Sequence, residues 1–352
     1  MTNNPYRGLG DHQFWRRAVT GVERFRFDPV RTTRFTIQPR ERVATAGSCF
    51  AQHISNRLAK VGFNYFVTES GEHLPEAQRK ALNHGVFSAR FGNIYTSRQL
   101  LQLFQACFEG RTVAEDVWQR QDGRYVDSLR PQIAPDGHDS EEQVRSERMV
   151  HIEAVRRMFE ECDVFVFTLG LTETWRSRID GTVYPLAPGV SGGSFDPERH
   201  QFVNLDVHDV LGDMEAFLAG LKSVNPAAKV ILTVSPVPLI ATYEDRNVLV
   251  ATSYSKSVLR VVADMLWREH SWVEYFPSYE IITGNYNNSL YYESDYRGIN
   301  SIGVDHAMRC FLEHYTAIGN PSRQRYIANT PAPPETAGDV VCDEEAIDQV
   351  RV

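Results

Sequence analysis

The feature that most constrains the fold is an uninterrupted apolar run at residues 163–169, where Val-Phe-Val-Phe-Thr-Leu follows a single aspartate. A strand with one face in water alternates apolar and polar residues, whereas a strand buried on both faces reads as a continuous apolar run. A second run of this kind spans residues 229–234. Both runs therefore predict strands of a parallel sheet that helices cover on both faces.

Shorter strand patterns and amphipathic segments alternate along the rest of the chain. The predicted strands are 42–46, 63–68, 163–169, 229–234 and 272–276, and the predicted helices are 51–61, 96–108, 140–161, 207–223, 252–270 and 301–315. This alternation is typical of an α/β fold with a mainly parallel sheet and right-handed crossovers. Because ligands bind outside the carboxyl ends of such strands, we expect the loops after 42–46, 163–169 and 229–234 to share one cleft.

The remaining segments suggest a division of the chain into three parts. Residues 1–38 form a polar, arginine-rich arm with aromatic anchors, which we expect to pack on an α/β domain at 39–318. Within that domain, the polar stretch 109–138 predicts a surface insertion and 181–204 predicts an irregular excursion. Residues 319–352 contain several prolines and end in acidic residues, so we expect a disordered acidic tail.

The composition argues against several classes of protein. A formal net charge of −8 argues against a nucleic-acid surface, which needs concentrated Lys and Arg. The chain lacks an apolar run of about 18 residues, so we predict no membrane span, and residues 1–10 lack a signal-peptide core. Five cysteines without a Cys-x-x-Cys pair predict neither a disulfide framework nor a zinc site. We therefore expect a cytoplasmic protein that needs no metal and no cofactor.

The first predicted strand ends in a turn that carries two nucleophilic side chains. Gly47 is followed by Ser48 and Cys49, and an amphipathic segment begins immediately afterwards. A tight turn from a strand into a helix can hold a hydroxyl or thiol above the sheet edge, at the positive end of the helix. The alternative is structural, because a serine at this position can simply cap the helix. The turn alone leaves both interpretations open.

Several motifs together resemble a known family. Residues 47–51, Gly-Ser-Cys-Phe-Ala, match the signature of the GSCFA-domain proteins, which are similar to the SGNH (GDSL-type) hydrolases. Further matching blocks follow in the same order at 168–170, 235–237, 255–256 and 278–280. The resemblance covers roughly residues 10–317. It implies a flavodoxin-like, three-layer α/β/α sandwich whose active site acts on acyl esters.

The resemblance leaves two candidates for the nucleophile. If Gly47 aligns with the glycine of the Gly-Asp-Ser pattern, Cys49 falls on the nucleophilic serine. A shift of one residue makes Ser48 the nucleophile instead. We favour Cys49, because the glycine fixes the turn and a helix N-terminus favours thiolate.

The base that the resemblance implies is missing from its usual place. These hydrolases use a histidine three residues after an aspartate, and here Asp295 is followed at that distance by Gly298. His306, early in the last predicted helix, is the remaining candidate base, with Asp295, Glu280 or Glu173 as its partner. Alternatively, His306 is a surface or helix-start histidine without a catalytic role.

The resemblance also implies oxyanion donors and substrate contacts. The family's glycine block aligns with Gly92 and Asn93, and its asparagine aligns with Thr172, whose hydroxyl is a weaker donor. The residues that could bind a polar or anionic substrate, or could equally form structural ion pairs, are Arg90, Glu173, Lys256 and Glu280.

The leading functional hypothesis is an esterase or O-acyltransferase, a hydrolase-like enzyme of polysaccharide modification that acts on an ester of a sugar, polysaccharide or glycolipid. The aromatic residues available for stacking on a carbohydrate are Trp175, Tyr184, Tyr286, Tyr291 and Tyr292. The competing hypothesis is a non-catalytic protein that keeps the fold for binding or scaffolding, since the usual histidine is absent. A nucleotide-binding flavodoxin-like protein is disfavoured, because the first turn lacks repeated glycines.

Overall fold

The computed structural model describes residues 4–319 and 343–348. Its strands are β1 (Val43–Gly47), β2 (Val117–Gln119), β3 (Tyr125–Asp127), β4 (Val164–Leu169), β5 (Glu173–Ser177), β6 (Val183–Tyr184), β7 (His200–Asn204), β8 (Lys229–Val234) and β9 (Val273–Tyr275). Its α-helices are α1 (Ala51–Lys60), α2 (Glu76–Ala81), α3 (Ser97–Phe108), α4 (Glu141–Glu161), α5 (Val207–Val224), α6 (Val248–Glu269), α7 (Ser278–Thr283), α8 (Ser301–Tyr315) and α9 (Glu345–Asp348).

The central sheet has the strand order β1-β4-β8-β9, and every neighbouring pair is parallel. The register places Gly47 beside Thr168 and Leu169 beside Val234. The carboxyl ends of β1, β4 and β8 therefore lie side by side at one edge. This arrangement confirms the predicted parallel sheet.

Alternate side chains of β4 enter two separate cores. Phe165 and Phe167 pack among the apolar residues of α3, α4, α5 and α6. Val164 and Val166 pack on the opposite face among those of α1, α7 and α8. All four side chains are fully buried, which explains why this strand reads as a continuous apolar run. The predicted three-layer α/β/α sandwich is confirmed.

Side-chain caps set the starts of several helices. The Ser140 hydroxyl accepts a hydrogen bond from the Gln143 amide at the start of α4, and Asn300 caps α8 in the same way. Helix α6 begins earlier than predicted, because Asn247 caps it and accepts from the Leu249 amide. The predicted start near residue 252 was therefore one turn too late.

Three segments differ from the sequence prediction. Residues 63–68 form no strand and contact β1 through a single parallel bridge between Val43 and Tyr65. The excursion expected at 181–204 contributes β6 and β7 to an antiparallel sheet, in which β5 is the central strand. The insertion at 109–138 contains a β2–β3 hairpin, with Trp118 and Val126 buried.

Both terminal segments contact the main domain. In the arm, the Ile37 amide donates to the Tyr315 carbonyl at 2.7 Å. The disordered tail expected at 319–352 lies largely outside the described residues, but 343–348 are described and pack against the domain. No helix in the described part of the chain is long and apolar enough to cross a membrane.

The turn after β1 generates a stability prediction. Gly47 has a φ of +129°, and a Cβ added there would lie 2.3 Å from the Thr168 carbonyl oxygen. We expect Gly47→Ala to lower the free energy of unfolding by about 3 kcal/mol or more, through backbone strain and a steric clash. Denaturant unfolding of the variant and the parent measures this difference.

Gly110→Ala is the matched control, since Gly110 also has a positive φ, +69°, but has no atom within 4 Å of the added Cβ. Only the conformational cost applies there, about 1 kcal/mol. Equal losses in the two variants would contradict the claim that contact with β4 fixes the turn.

Candidate active site

The turn after β1 is pressed against the end of β4. The Ser48 amide donates to the Thr168 carbonyl at 3.1 Å, and the missing side chain of Gly47 permits this approach. Gly170, one residue beyond β4, is also crowded: a Cβ there would lie 2.9 Å from the Tyr95 carbonyl oxygen and 3.2 Å from the Ser48 Cβ. Two glycines at the carboxyl ends of neighbouring strands, one in β1 and one just after β4, thus bring the two loops into close contact.

Ser48 and Cys49 line a small pocket at this edge of the sheet. The loops after β4 and β8 supply further walls, as the parallel topology predicts. The complete lining is Ser48, Cys49, Tyr95, Gly170, Leu171, Ser235, Val237, Pro238, Leu239, Lys256 and Glu344. The remaining cavity volume is only about 10 Å³, close to the smallest space that admits one water molecule.

The two candidate nucleophiles have different surroundings. Ser48 Oγ is buried and has no hydrogen-bond partner among the described residues. Cys49 is also buried and lies just before α1, whose N-terminus favours negative charge on a nearby thiol. The structure brings both side chains to the pocket.

Lys256 is a titratable residue that the structure places beside this pair. It projects from α6, is only 2% exposed, and its Nζ donates to the Gly170 carbonyl at 2.5 Å. Burial lowers the pKa of Lys256 to about 8, while the nearby charges of Glu344 and Cys49 oppose that shift. A buried lysine with such a pKa can exchange a proton near neutral pH.

The loop at Gly92 and Asn93 binds a carboxyl oxygen of the chain itself. The Asn93 amide donates to Asp343 Oδ2 at 3.2 Å. Gly92 has a φ of +71°, and a Cβ there would lie 3.5 Å from the same oxygen. This loop, expected to supply oxyanion donors, therefore presents a backbone N–H to a carboxylate of the chain itself.

Thr172 is engaged in structural contacts. Its amide donates to Ser255 Oγ, and its hydroxyl donates to Asn204 Oδ1 at 2.6 Å. The amides of Gly170 and Leu171 both donate to the Tyr95 carbonyl. The loop after β4 thus fixes the shape of the site, and the structure does not bring the Thr172 hydroxyl into the pocket lining.

The structure does not bring His306 to the pocket either. Its Nδ1 is hydrogen-bonded to the Tyr291 hydroxyl and its Nε2 to the Phe27 carbonyl, each at 2.6 Å. Because a carbonyl only accepts, Nε2 carries the proton, and Nδ1 accepts from Tyr291. Burial lowers the pKa of His306, in keeping with a neutral ring between the arm and α8.

Asp295 shapes a loop at the rim of the site. Its exposed carboxylate accepts hydrogen bonds from the Arg297 and Gly298 amides, and these bonds lower its pKa. The turn directs Arg297 to Glu344, where the two side chains form an ion pair at 2.6 Å. Where the resemblance implies a histidine, this loop thus contributes an arginine to the site.

Two of the candidate substrate contacts belong to ion-pair networks. The guanidinium of Arg90 is buried between Glu69 and Glu147, at 3.7 and 3.5 Å. The carboxylate of Glu280 accepts from Arg260 at 2.5 Å and from the Tyr275 hydroxyl. Neither residue is among those that line the small pocket.

Glu173 lies in an aromatic groove beside the small pocket. Its carboxylate accepts from the Thr242 hydroxyl at 2.6 Å, and burial raises its pKa. The groove has a volume of about 400 Å³ and shares Leu171 and Leu239 with the pocket. Its aromatic walls are Trp175, Phe195, Phe202 and Tyr243.

The other aromatic residues considered for stacking do not line this groove. The Tyr184 hydroxyl donates to Glu115, and that of Tyr286 donates to the Ile281 carbonyl. Tyr291 is fully buried against His306, and the Tyr292 hydroxyl donates to the Pro236 carbonyl. Of the five, only Trp175 lines this groove.

One group of possible metal ligands is present among the described residues. Asp28, Glu313 and His314 bring one ligand atom each to within 4.8 Å of one another. His314 Nε2 already contacts the Asp28 carboxylate at 2.6 Å. This contact between the arm and α8 accounts for the cluster without a metal ion, and we assign no metal to it.

Sequence reasoning placed Lys256 among possible substrate contacts and missed Tyr95, Arg297 and the tail carboxylates. The sequence pointed to Lys256 only through the motif at 255–256, which resembles the family's. The burial of its side chain could not be predicted, because it depends on tertiary packing. For Arg297, the only indication of a role in the site was its position close to Asp295 in the sequence.

Comparison with known proteins places these residues in a family. A search of curated proteins finds no match to the chain. The model of the GSCFA family matches residues 42–311, which run from just before β1 into α8 and include most of the chain. The matched region contains the turn at Ser48 and Cys49, the loop at Asn93 and the helix that carries Lys256. The chain belongs to the GSCFA family.

Proposed function

We propose that the protein is an acyl-transfer enzyme, an esterase or O-acyltransferase acting on an ester of a sugar, polysaccharide or glycolipid. The observation that carries the proposal is the buried Lys256 in one pocket with Cys49 and Ser48. A nucleophile and a group that can take its proton are the minimum equipment for covalent acyl transfer. The resemblance to the SGNH hydrolases supports the same reaction class.

We assign the nucleophile to Cys49. Its charge interacts with Lys256, and it lies at the N-terminal end of α1, so two features favour its thiolate. Ser48 lies deeper against Gly170, with a buried hydroxyl that lacks a partner among the described residues. That hydroxyl is available to donate to a bound ester.

The chemistry follows from these positions. Cys49 Sγ attacks the ester carbonyl carbon while its proton passes to Lys256 Nζ, and the Asn93 amide donates to the developing oxyanion. The carbon–oxygen bond of the ester then breaks, and the leaving alcohol takes the proton from Lys256. Water or a sugar hydroxyl next attacks the thioester and gives its proton to Lys256. The carbon–sulfur bond breaks, Lys256 returns the proton to Cys49, and the acyl group leaves as acid or new ester.

The aromatic groove supports a substrate with a flat apolar face. Trp175 and Tyr243 lie 4.7 Å apart at their ring centroids and line the groove together with Glu173. Aromatic rings pack on the C–H face of a sugar, and a carboxylate accepts hydrogen bonds from its hydroxyls. This combination favours a carbohydrate ester.

A binding or scaffolding role is the second candidate. The observation in its favour is His306, whose two ring nitrogens are both engaged away from the pocket. A protein that had lost catalysis would keep the fold and the groove, and its histidine would no longer accept a proton from the nucleophile. The substitutions below separate the two candidates.

We expect Cys49→Ala to lower turnover of a chromogenic acyl ester by about a thousandfold or more, since the covalent step is lost. Lys256→Met should lower it by about 10²–10⁴-fold, the usual contribution of a general acid–base. Lys229→Met, which removes a surface ion pair with Glu41 at the start of β8, is the matched control and should keep its activity.

Intact-mass detection of an acyl adduct covers the case of a strict transferase that hydrolyses such esters poorly. Loss of the adduct in Ser48→Ala but not in Cys49→Ala would move the nucleophile to Ser48. Neither turnover nor an adduct in the parent protein would favour the binding role.

The pKa of Lys256 generates a pH prediction. The cysteine–lysine pair must lose one of its two protons to react, and the lowered pKa of Lys256 places that loss near pH 8. Below this pH the lysine is charged and cannot accept a proton, so kcat/KM should rise with pH to a plateau above about pH 9. A pH profile measures this limb, and a rate that is flat or falls between about pH 7 and about pH 9 would contradict the role of Lys256.

A further inference from the structure

Two carboxylates near the C-terminus are buried in the candidate site. Asp343 and Glu344 are 6% and 7% exposed, although carboxylates are rarely buried unless they are paired. The neighbouring Glu345 is exposed. The burial of these two side chains therefore needs a specific set of partners.

Glu344 is held from three directions. Its carboxylate pairs with Arg297 at 2.6 Å, its amide donates to Tyr95 Oη at 3.2 Å, and its charge interacts with that of Lys256. Burial raises the pKa of Glu344, and the charges of Arg297 and Lys256 oppose that shift. The side chain lines the same pocket as Ser48 and Cys49 and leaves little space there.

Asp343 occupies the loop that we assign to oxyanion binding. Its Oδ2 accepts from the Asn93 amide, and its carbonyl accepts from the Gln132 side chain at 3.3 Å. Burial raises the pKa of Asp343, while the contacts with Asn93 oppose that shift. A carboxylate at this position covers a donor that an ester oxyanion would need.

The residues that follow extend into the aromatic groove. Ile347, in the short helix α9, lines the groove together with Glu344 and Trp175. The segment thus places acidic groups at the reacting end and an apolar side chain at the far end. It covers both the pocket and its approach.

We propose that residues 343–348 are an internal ligand of the candidate active site, where Glu344 fills an Arg297 subsite that receives a carboxylate of the substrate. The inference rests on the proposed function, which identifies the pocket as an active site. It adds the chemical class of the ligand and a way in which access to Cys49 is controlled. The segment must leave before an ester can reach Cys49.

The chemical class of the substrate follows from the positive charge of Arg297. Arg297 stays ionised at all accessible pH values, and its side chain is only 18% exposed. When the segment leaves, a partly buried guanidinium loses its ion pair with Glu344, and a carboxylate of the substrate can take the place of that group. An ester of an acidic sugar supplies such a group, and a neutral sugar does not.

The test uses the full chain and a chemical probe of Cys49. Glu344→Gln keeps the shape of the side chain and removes its charge, so the segment should be released and iodoacetamide should alkylate Cys49 about tenfold faster or more. Glu345→Gln makes the same change at the exposed neighbour and should leave the rate unchanged. Peptide mapping by mass spectrometry assigns the label to Cys49 and separates it from Cys342, which lies outside the described residues.

A peptide added in trans identifies the occupant. An N-acetylated peptide of residues 343–352 should restore protection of Cys49 in the Glu344→Gln protein, and the same peptide with glutamine at position 344 should not. Hydrogen exchange at the Glu344 amide, which donates to Tyr95, gives a second measurement and should quicken in the Glu344→Gln variant. Equal alkylation and exchange in the two glutamine variants would overturn the proposal.

Small acids then test the ligand class. Glucuronate should protect Cys49 of the Glu344→Gln protein at concentrations where glucose does not. Equal protection by the two sugars would overturn the carboxylate subsite.

The failure of this inference is distinguishable from the failure of the proposed function. Alkylation of Cys49 requires no turnover. Faster alkylation in Glu344→Gln without ester turnover or an adduct would support the internal ligand and reject acyl transfer. Ester turnover with equal alkylation in both variants would support acyl transfer and reject the internal ligand.

Discussion

The site depends on the close approach of β1 and β4 at their carboxyl ends. Gly47 lies against the Thr168 backbone at a distance that no side chain permits, and the Ser48 amide completes the contact. On the other side, the carbonyl of Gly170 receives the Nζ of Lys256. The carboxyl end of β4 and the residue after it therefore position the turn at Ser48 and Cys49 from one side and the buried lysine from the other. A small displacement of this strand end would separate Cys49 from Lys256.

The parts of the fold that the sequence predicted correctly have local signals. The apolar runs of β4 and β8 require burial on both faces, and Asn300 marks the start of α8 through its own hydrogen bond. The antiparallel sheet of β5, β6 and β7 has no such signal, because β6 is very short and β7 pairs with β5 across the long connection 178–199. Residues 63–68 were predicted as a strand from their β-forming composition. They form none, because they pair with β1 through a single bridge only.

The candidate site could also be predicted only in part, because several of its properties depend on tertiary contacts. The Ser48–Cys49 turn follows from the order of elements in a parallel sheet, and the Asn93 loop was expected from the family resemblance alone. The protonation behaviour of Lys256 follows from its burial, which depends on how α6 packs over the sheet. His306 has a suitable sequence position for a base, yet Tyr291 and the arm residue Phe27 take both of its nitrogens. Tertiary contacts, such as that of Phe27 in the arm with His306 in α8, decide such roles.

The two basic residues of the site, Arg297 and Lys256, differ chemically, and this difference suits them to different roles. Arg297 is permanently charged and forms a direct ion pair with Glu344, which suits a residue that recognises a carboxylate. Lys256 is more deeply buried, donates to the Gly170 carbonyl and has a lowered pKa, which suits a residue that exchanges a proton. If the two were interchanged, an arginine at 256 could not lose its proton, and a lysine at 297 would lose the guanidinium fork. A site that used both cations only for binding would not require one of them to be buried beside a thiol.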